Sequence, residues 1–164
     1  MDILSQGWVV AGTAYAMVLG GVIGYERELK NRPAGFRTHM LVAGAATLLI
    51  EIGELLMADT RYRSAQFLTI DPLRLVEAVV SGVAFIGAGT IFATRSGNSV
   101  AGITTAASLL MVAIVGVAVG FGFYVLSLAI TLLTLLVLAV LNFAERRPRA
   151  MAEKKASAQG TGEQ

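Results

Sequence analysis

The chain has no cysteine and only one histidine among its 164 residues. Disulfides, cysteine zinc sites and thiol chemistry are therefore excluded. The lone His39 cannot build a histidine metal site by itself. No nucleophile–base pair, phosphate-binding loop or metal-ligand spacing is visible, so neither an enzyme nor a cofactor is expected. Charge is scarce as well: charged residues make up 15% of the chain and hydrophobic ones 55%. The mean hydropathy is +0.71. The scarcity is most extreme from Ser96 to Ala144, where no residue is charged.

Water-soluble domains do not carry apolar stretches of that length. A helix rises about 1.5 Å per residue and a bilayer core is roughly 30 Å thick, so about 20 apolar residues cross it once. The Ser96–Ala144 run suffices for two crossings and a turn. Gly116, Gly120 and Gly122 lie near its middle, where that turn is expected. The apolar segments between charges predict five spans: Gly7 to Tyr25, Thr38 to Ala58, Leu75 to Thr94, Ala101 to Val117 and Phe121 to Phe143. Met1 to Gln6 lacks the basic region of a signal peptide, so the first span is expected to remain as a helix. The expected fold is an all-α integral membrane bundle of five transmembrane helices over residues 1–144. A basic, disordered tail is expected over residues 145–164. The start of that tail can rest on anionic lipid heads.

Basic residues choose the orientation. With the N-terminus outside, the cytoplasm receives Arg27, Lys30, Arg32, Arg37, Arg95, Arg146, Arg147, Arg149, Lys154 and Lys155. The outside then receives only Arg61, Arg63 and Arg74. The positive-inside rule selects this arrangement, N-terminus outside and C-terminus cytoplasmic. Aromatic placement agrees, with Trp8, Tyr62, Phe67 and Tyr124 near the outer boundary and Tyr25 and Phe143 near the inner one.

Two segments echo each other. Ala34-Gly35-Phe36-Arg37-Thr38 precedes the second span, and Ala101-Gly102-Ile103-Thr104-Thr105 opens the fourth. A glycine-rich span lies upstream of each. The first two spans then read as a parallel repeat of the next two, or as the ordinary recurrence of small residues where helices approach closely. Gly20 with Gly24, and Gly116 with Gly120, form G-x-x-x-G pairs suited to close packing.

Polar residues are expensive in a bilayer, so their positions carry information. Glu51 follows Arg37 by fourteen positions, roughly 21 Å along a helix, which places it past the midplane towards the outside. Glu54 shares its face, and Glu77 follows Arg74 by one turn. These three acids read either as a carboxylate cluster that attracts a cation or proton, or as an Arg74–Glu77 interfacial pair with acids reaching outer water. The densest polar cluster is on the inner side: Glu26, Arg27, Glu28, Lys30, Arg32, Arg37, Thr38 and His39. The N-termini of the second and fourth spans point there too, bringing Thr104 and Thr105. This cluster reads as an anion site or as a salt-bridge network tying two hairpins together. Glu26 and Arg37 are expected to matter more than Lys30, which is taken as solvated. His39 is read as a hydrogen-bonded packing residue rather than a ligand or pH switch.

These residues also carry a resemblance. Gly24-Tyr25-Glu26-Arg27-Glu28 and Ala34-Gly35-Phe36-Arg37-Thr38-His39 resemble the signature of the MgtC/SapB family of bacterial inner-membrane proteins. Asp71-Pro72-Leu73-Arg74, Ser81 to Gly89 and Gly102 to Ser108 continue it. The family motifs map onto Glu26, Arg27, Glu28, Arg37, Thr38, Asp71, Arg74, Gly82, Gly87, Gly89, Gly102, Thr104 and Thr105. The resemblance implies five transmembrane helices and a multi-pass protein of the bacterial inner membrane. It also implies a link to growth at low magnesium, acid tolerance and survival in host cells. It implies action by contact with other membrane proteins, the ATP synthase among them. Longer members carry a soluble ACT-like domain after the fifth span, where this chain has only the short tail, so that role is expected to be absent or supplied by another chain.

The expected partners are the lipid bilayer, other membrane proteins and further copies of the chain in a homo-oligomer, with no nucleic acid. The expected function is regulation of a partner in magnesium or acid homeostasis. The alternative is a small cation or proton transporter or channel using Glu51. The charge distribution generates a direct test. Single cysteines at Gln6 and Ala65 are expected to label from outside, and those at Asn31 and Ala156 from the cytoplasm. Outside labelling at Asn31 contradicts the orientation.

Overall fold

The computed structural model describes residues 3–59, 71–93 and 102–140. Among the described residues there are five helices: α1 (Ile3–Leu29), α2 (Phe36–Ala58), α3 (Pro72–Ala93), α4 (Ile103–Gly120) and α5 (Tyr124–Val140). The first four are long and apolar enough to cross a bilayer. The protein is a multi-pass membrane protein built as a helical bundle. The expected tail, the basic residues Arg61, Arg63 and Arg95, Ala101, and the last residues of the fifth expected span lie outside the described residues. The chain divides into two compact units. The first runs to Thr131 and holds α1 to α4 with the start of α5; the second begins at Leu132 with the remainder of that helix.

Each helix boundary has a local cause. α1 ends with Asn31 in the left-handed region, at φ 51°. The Asn31 amide donates to the Glu28 carbonyl (2.9 Å) and the Arg32 amide to the Arg27 carbonyl (3.1 Å), the paired bonds of a Schellman stop. α3 starts at Pro72, where a missing N–H costs nothing. The Asp71 carboxylate before it accepts from the Leu73 amide at 2.9 Å, a side-chain N-cap. α4 stops by a second Schellman pair, from Gly122 to Val119 and from Phe123 to Ala118, both 2.8 Å. Gly122 supplies the required positive φ of 76°.

That stop corrects one expectation. Of the three glycines assigned to the turn, only Gly122 makes it. Gly116 lies inside α4 and Gly120 is its last residue. A Cβ on Gly116 would collide with the Ala43 carbonyl of α2, and one on Gly120 would lie 2.7 Å from the Ile50 Cβ. Both glycines let α4 and α2 touch backbone to backbone. α2 is approached in the same way from its other side. A Cβ on Gly20 of α1 would lie 2.6 Å from the His39 carbonyl oxygen. Both G-x-x-x-G pairs therefore serve packing within the chain. The core that results contains Ala16, Ile23, Ala43, Ile50, Leu109, Val112, Ala113 and Val115, all buried.

The echo between hairpins has a structural counterpart. Gly35 precedes α2 and Gly102 precedes α4. Gly20 meets His39, and Gly87 meets Ala106, whose Cβ stands 3.2 Å from a Cβ built on Gly87. Gly20 to Gly87, Gly35 to Gly102 and His39 to Ala106 are the same distance along the chain. The recurrence therefore extends to equivalent contacts, which supports a parallel repeat of the two hairpins.

The packing separates two kinds of glycine. Gly20→Val and Gly116→Val force apart helices already in backbone contact and are expected to destabilise by about 1–3 kcal/mol. Gly82→Ala and Gly89→Ala meet open space and are expected to be neutral or stabilising by up to about 1 kcal/mol, through helix propensity. Thermal unfolding of the four purified variants checks this.

Candidate functional site

Among the described residues the buried charged side chains, Arg27 and Glu51, lie towards opposite ends of α2. The first lies at the α1–α2 turn. Arg27 follows the fully buried Ile23 by one turn, on the stripe of α1 that faces the core. It is only 3% exposed. Its Nη1 stands 3.9 Å from the Glu26 Oε2. Among the described residues its Nε and Nη2, and that Glu26 oxygen, have no hydrogen-bond partner. The other Glu26 oxygen accepts from the Lys30 ammonium one turn on. Glu28 does a different job. Its Oε2 accepts from the Phe36 amide at 2.8 Å, capping α2 where Gly35 offers no side chain.

His39 ties this end to α4. It is fully buried. Its Nδ1 stands 2.9 Å from the Gly35 carbonyl oxygen; a carbonyl only accepts, so Nδ1 donates. Its Nε2 lies 3.1 Å from the Ser108 hydroxyl oxygen. The same Ser108 oxygen lies 2.8 Å from the Thr105 carbonyl oxygen. Mid-span, the buried Thr47 hydroxyl lies 3.0 Å from the Ala43 carbonyl of its own helix and 2.8 Å from the Gly116 carbonyl of α4. It forms a second polar link between the same two helices.

The structure thus sorts the expected inner cluster. Glu26, Arg27, Glu28, His39 and Thr105 come together around the α1–α2 turn and the first turns of α4. Arg37 and Thr104 are exposed, and Thr38 is half-buried. Among the described residues no ion pair involves Arg37. The expectation that Arg37 outweighs a solvated Lys30 is therefore corrected. Arg37 stands on the outward face of α2, whereas Lys30 pairs with Glu26 by i, i+4 spacing.

The second polar group lies at the far end of α2. Glu51 is buried, with 8% exposure. Its Oε2 accepts from the Thr13 hydroxyl of α1 at 3.3 Å. Its Oε1 lies against Gly12, where any Cβ would collide with it. Glu51 and Glu54 line one cavity of about 440 Å³, walled by Trp8, Val9, Leu55, Phe121 and Tyr124. Beside it, the Tyr15 hydroxyl donates to the Tyr124 carbonyl at 3.1 Å. The two rings meet edge to face at 5.8 Å. Glu54 is exposed. Glu77 is exposed on α3, outside that lining, and forms no ion pair with Arg74 among the described residues. Two of the three acids are thus brought together.

The remaining motif residues divide by role. Asp71 caps α3, and Arg74 is exposed. Gly87 packs on α4, whereas Gly82 and Gly89 face open space. Gly102 has a φ of 93°, and a Cβ there would lie 2.9 Å from the Thr90 carbonyl oxygen. Among the described residues no group of three or more His, Cys, Asp or Glu stands where it could hold a metal ion. Thr13 and Thr47 escaped the sequence reading, and Ser108 entered it only as the end of a family motif. The signal for Thr47 was present: a hydroxyl in mid-span is a natural interhelical bond.

Burial ranks the inner residues. Glu26→Gln removes the one carboxylate facing buried Arg27 and is expected to cost about 3 kcal/mol. Arg37→Gln changes an exposed side chain and is expected to stay within about 0.5 kcal/mol. Folded yield and melting temperature of the two variants decide the ranking.

Comparison with known proteins agrees with this architecture. The MgtC family profile matches residues 14–147. The chain is 36% identical over 127 residues to "Putative magnesium transporter YhiD" of Escherichia coli (strain K12), covering 77% of this chain and 57% of that protein. It is 36% identical over 141 residues to protein SapB of Bacillus subtilis (strain 168), covering 85% and 60%. It is 40% identical over 109 residues to protein MgtC of Brucella abortus (strain 2308), covering 66% and 41%. The chain spans about half the length of the curated relatives it matches. No solved structure matches it. With a family profile over most of its length and the motif residues placed at helix ends and helix contacts, the chain belongs to the MgtC family.

Proposed function

We propose that the chain is a non-enzymatic regulator in magnesium or acid homeostasis, acting by contact with other proteins of the bacterial inner membrane. The observation that carries this reading is the filled space between the two polar groups. Ala16, Ile23, Ala43, Thr47, Ile50, Val112 and Val115 lie between the Arg27 end and the Glu51 end and are all buried. Gly20 and Gly116 draw backbones together at the same level. An interior packed in this way offers an ion no wet path.

Contact surface is available on α3. Phe85 is 83% exposed and Phe92 71%, and Gly82 and Gly89 stand open beside them. Small residues let a neighbouring helix approach closely in lipid. Membrane proteins such as the ATP synthase, named by the family resemblance, are partners of this kind. The magnesium link rests on the name of the YhiD relative and on the resemblance.

A second reading is favoured by one observation. Glu51 is a buried acid, and intramembrane acids mark ion pathways in transporters. The two readings diverge at this residue. Purified protein in liposomes is expected to carry no magnesium or proton flux, and Glu51→Gln is expected to be nearly silent in cells. Magnesium- or proton-dependent flux that disappears in Glu51→Gln contradicts the regulatory reading.

A further inference from the structure

The cavity beside Glu51 has the features of a ligand site. Its volume of about 440 Å³ falls within the roughly 300–1,000 Å³ of small-molecule pockets. Glu51, more than nine-tenths buried, lines it. Among the described residues the carboxylate receives a single long hydrogen bond, from a neutral hydroxyl. Its Oε1 lies against Gly12, and no ion pair involves Glu51 among the described residues. Glu54, one turn on, lines the same space, and among the described residues no lysine or arginine does. A buried carboxylate without a counter-charge is costly, and a bound cation removes that cost.

The lining selects the type of cation. A dehydrated magnesium ion demands about six oxygen ligands in octahedral array. No metal-holding group of side chains occurs among the described residues, and much of the cavity wall is Trp8, Val9, Leu55, Ala58, Phe121 and Tyr124. Aromatic faces and aliphatic walls instead suit an organic cation, whose charge sits on a carbon skeleton. We propose that this cavity binds a primary alkylammonium group, with Glu51 and Glu54 as counter-charges and Trp8 and Tyr124 as walls. That group is supplied by a small amine such as ethanolamine or by the ethanolamine head of a phospholipid. Trp8 is 75% exposed, as befits a ring at the headgroup level. The site concerns binding alone and does not require transport.

Trp8 is the single tryptophan of the chain and reports from the cavity wall. The full chain is purified in maltoside micelles, which carry no ammonium, and titrated with ethanolamine at constant ionic strength. A saturable change in Trp8 emission is expected. Glu51→Gln is expected to weaken it at least about tenfold, the loss of one charged hydrogen bond. The exposed Glu54→Gln, which leaves the core untouched, is expected to weaken it too, with an unchanged melting temperature. Native mass spectrometry of protein extracted from phosphatidylethanolamine-containing membranes separates the sources. Retained lipid lost in Glu54→Gln identifies the headgroup; an ethanolamine response without retained lipid identifies the free amine. The proposal is overturned by no ethanolamine response together with no retained lipid. A magnesium chloride response equal to that of ethanolamine, or an ethanolamine response unchanged in both variants, also overturns it.

Discussion

Everything in the bundle depends on how closely α2 is approached from both sides. Lipid chains are as apolar as leucine, so burial of apolar surface does not drive helices together in a membrane; close packing and interhelical hydrogen bonds do. Gly20 brings α1 onto the His39 carbonyl, and Gly116 brings α4 onto the Ala43 carbonyl. At that separation His39 reaches Ser108 and Thr47 reaches the Gly116 carbonyl. The two polar links are thus consequences of the glycine contacts, and they fix the register that the contacts allow.

The same closeness separates the chemistry into two ends. At one end Arg27 is held under the core, its Nε and Nη2 without a partner among the described residues, beside an α2 capped by Glu28. At the other, Glu51 sits against Gly12 and Thr13, at the edge of a cavity with aromatic walls. The proposed action by contact rather than conduction rests on this arrangement, with charged groups at both ends and a filled middle. The exposed α3 face, with Phe85 and Phe92 beside open glycines, is where such contact has room.

Much of this architecture was legible in the chain. The charge-free run demanded membrane helices, and the Gly35 and Gly102 segments mark the starts of α2 and α4. What failed did so for geometric reasons. A glycine near the middle of an apolar run serves a turn or a helix contact equally well in sequence; Gly122 turned and Gly116 packed because α2 lies beside Gly116. Arg27 and Arg37 look alike on paper, yet the rotation of α1 buries the first and the face of α2 exposes the second. The Glu26–Lys30 pair was readable from its spacing, but the turn that α1 makes after Leu29 decided that Lys30 belongs to the helix end rather than to open water. Thr13 and Glu51 stand on different helices, so only the register of α1 on α2 reveals their bond.

The central claim is that the middle of the bundle is sealed by these contacts. The chain's lack of cysteine makes that directly measurable. Single cysteines at Ala43, Ala46 and Ala113, all buried, are exposed in intact membranes to a small, charged, water-soluble thiol reagent from either side. The account predicts no modification at any of the three, while a control cysteine at Asn31 reacts. Modification of any of the three in the folded protein would reveal a water-filled path through the core and contradict it.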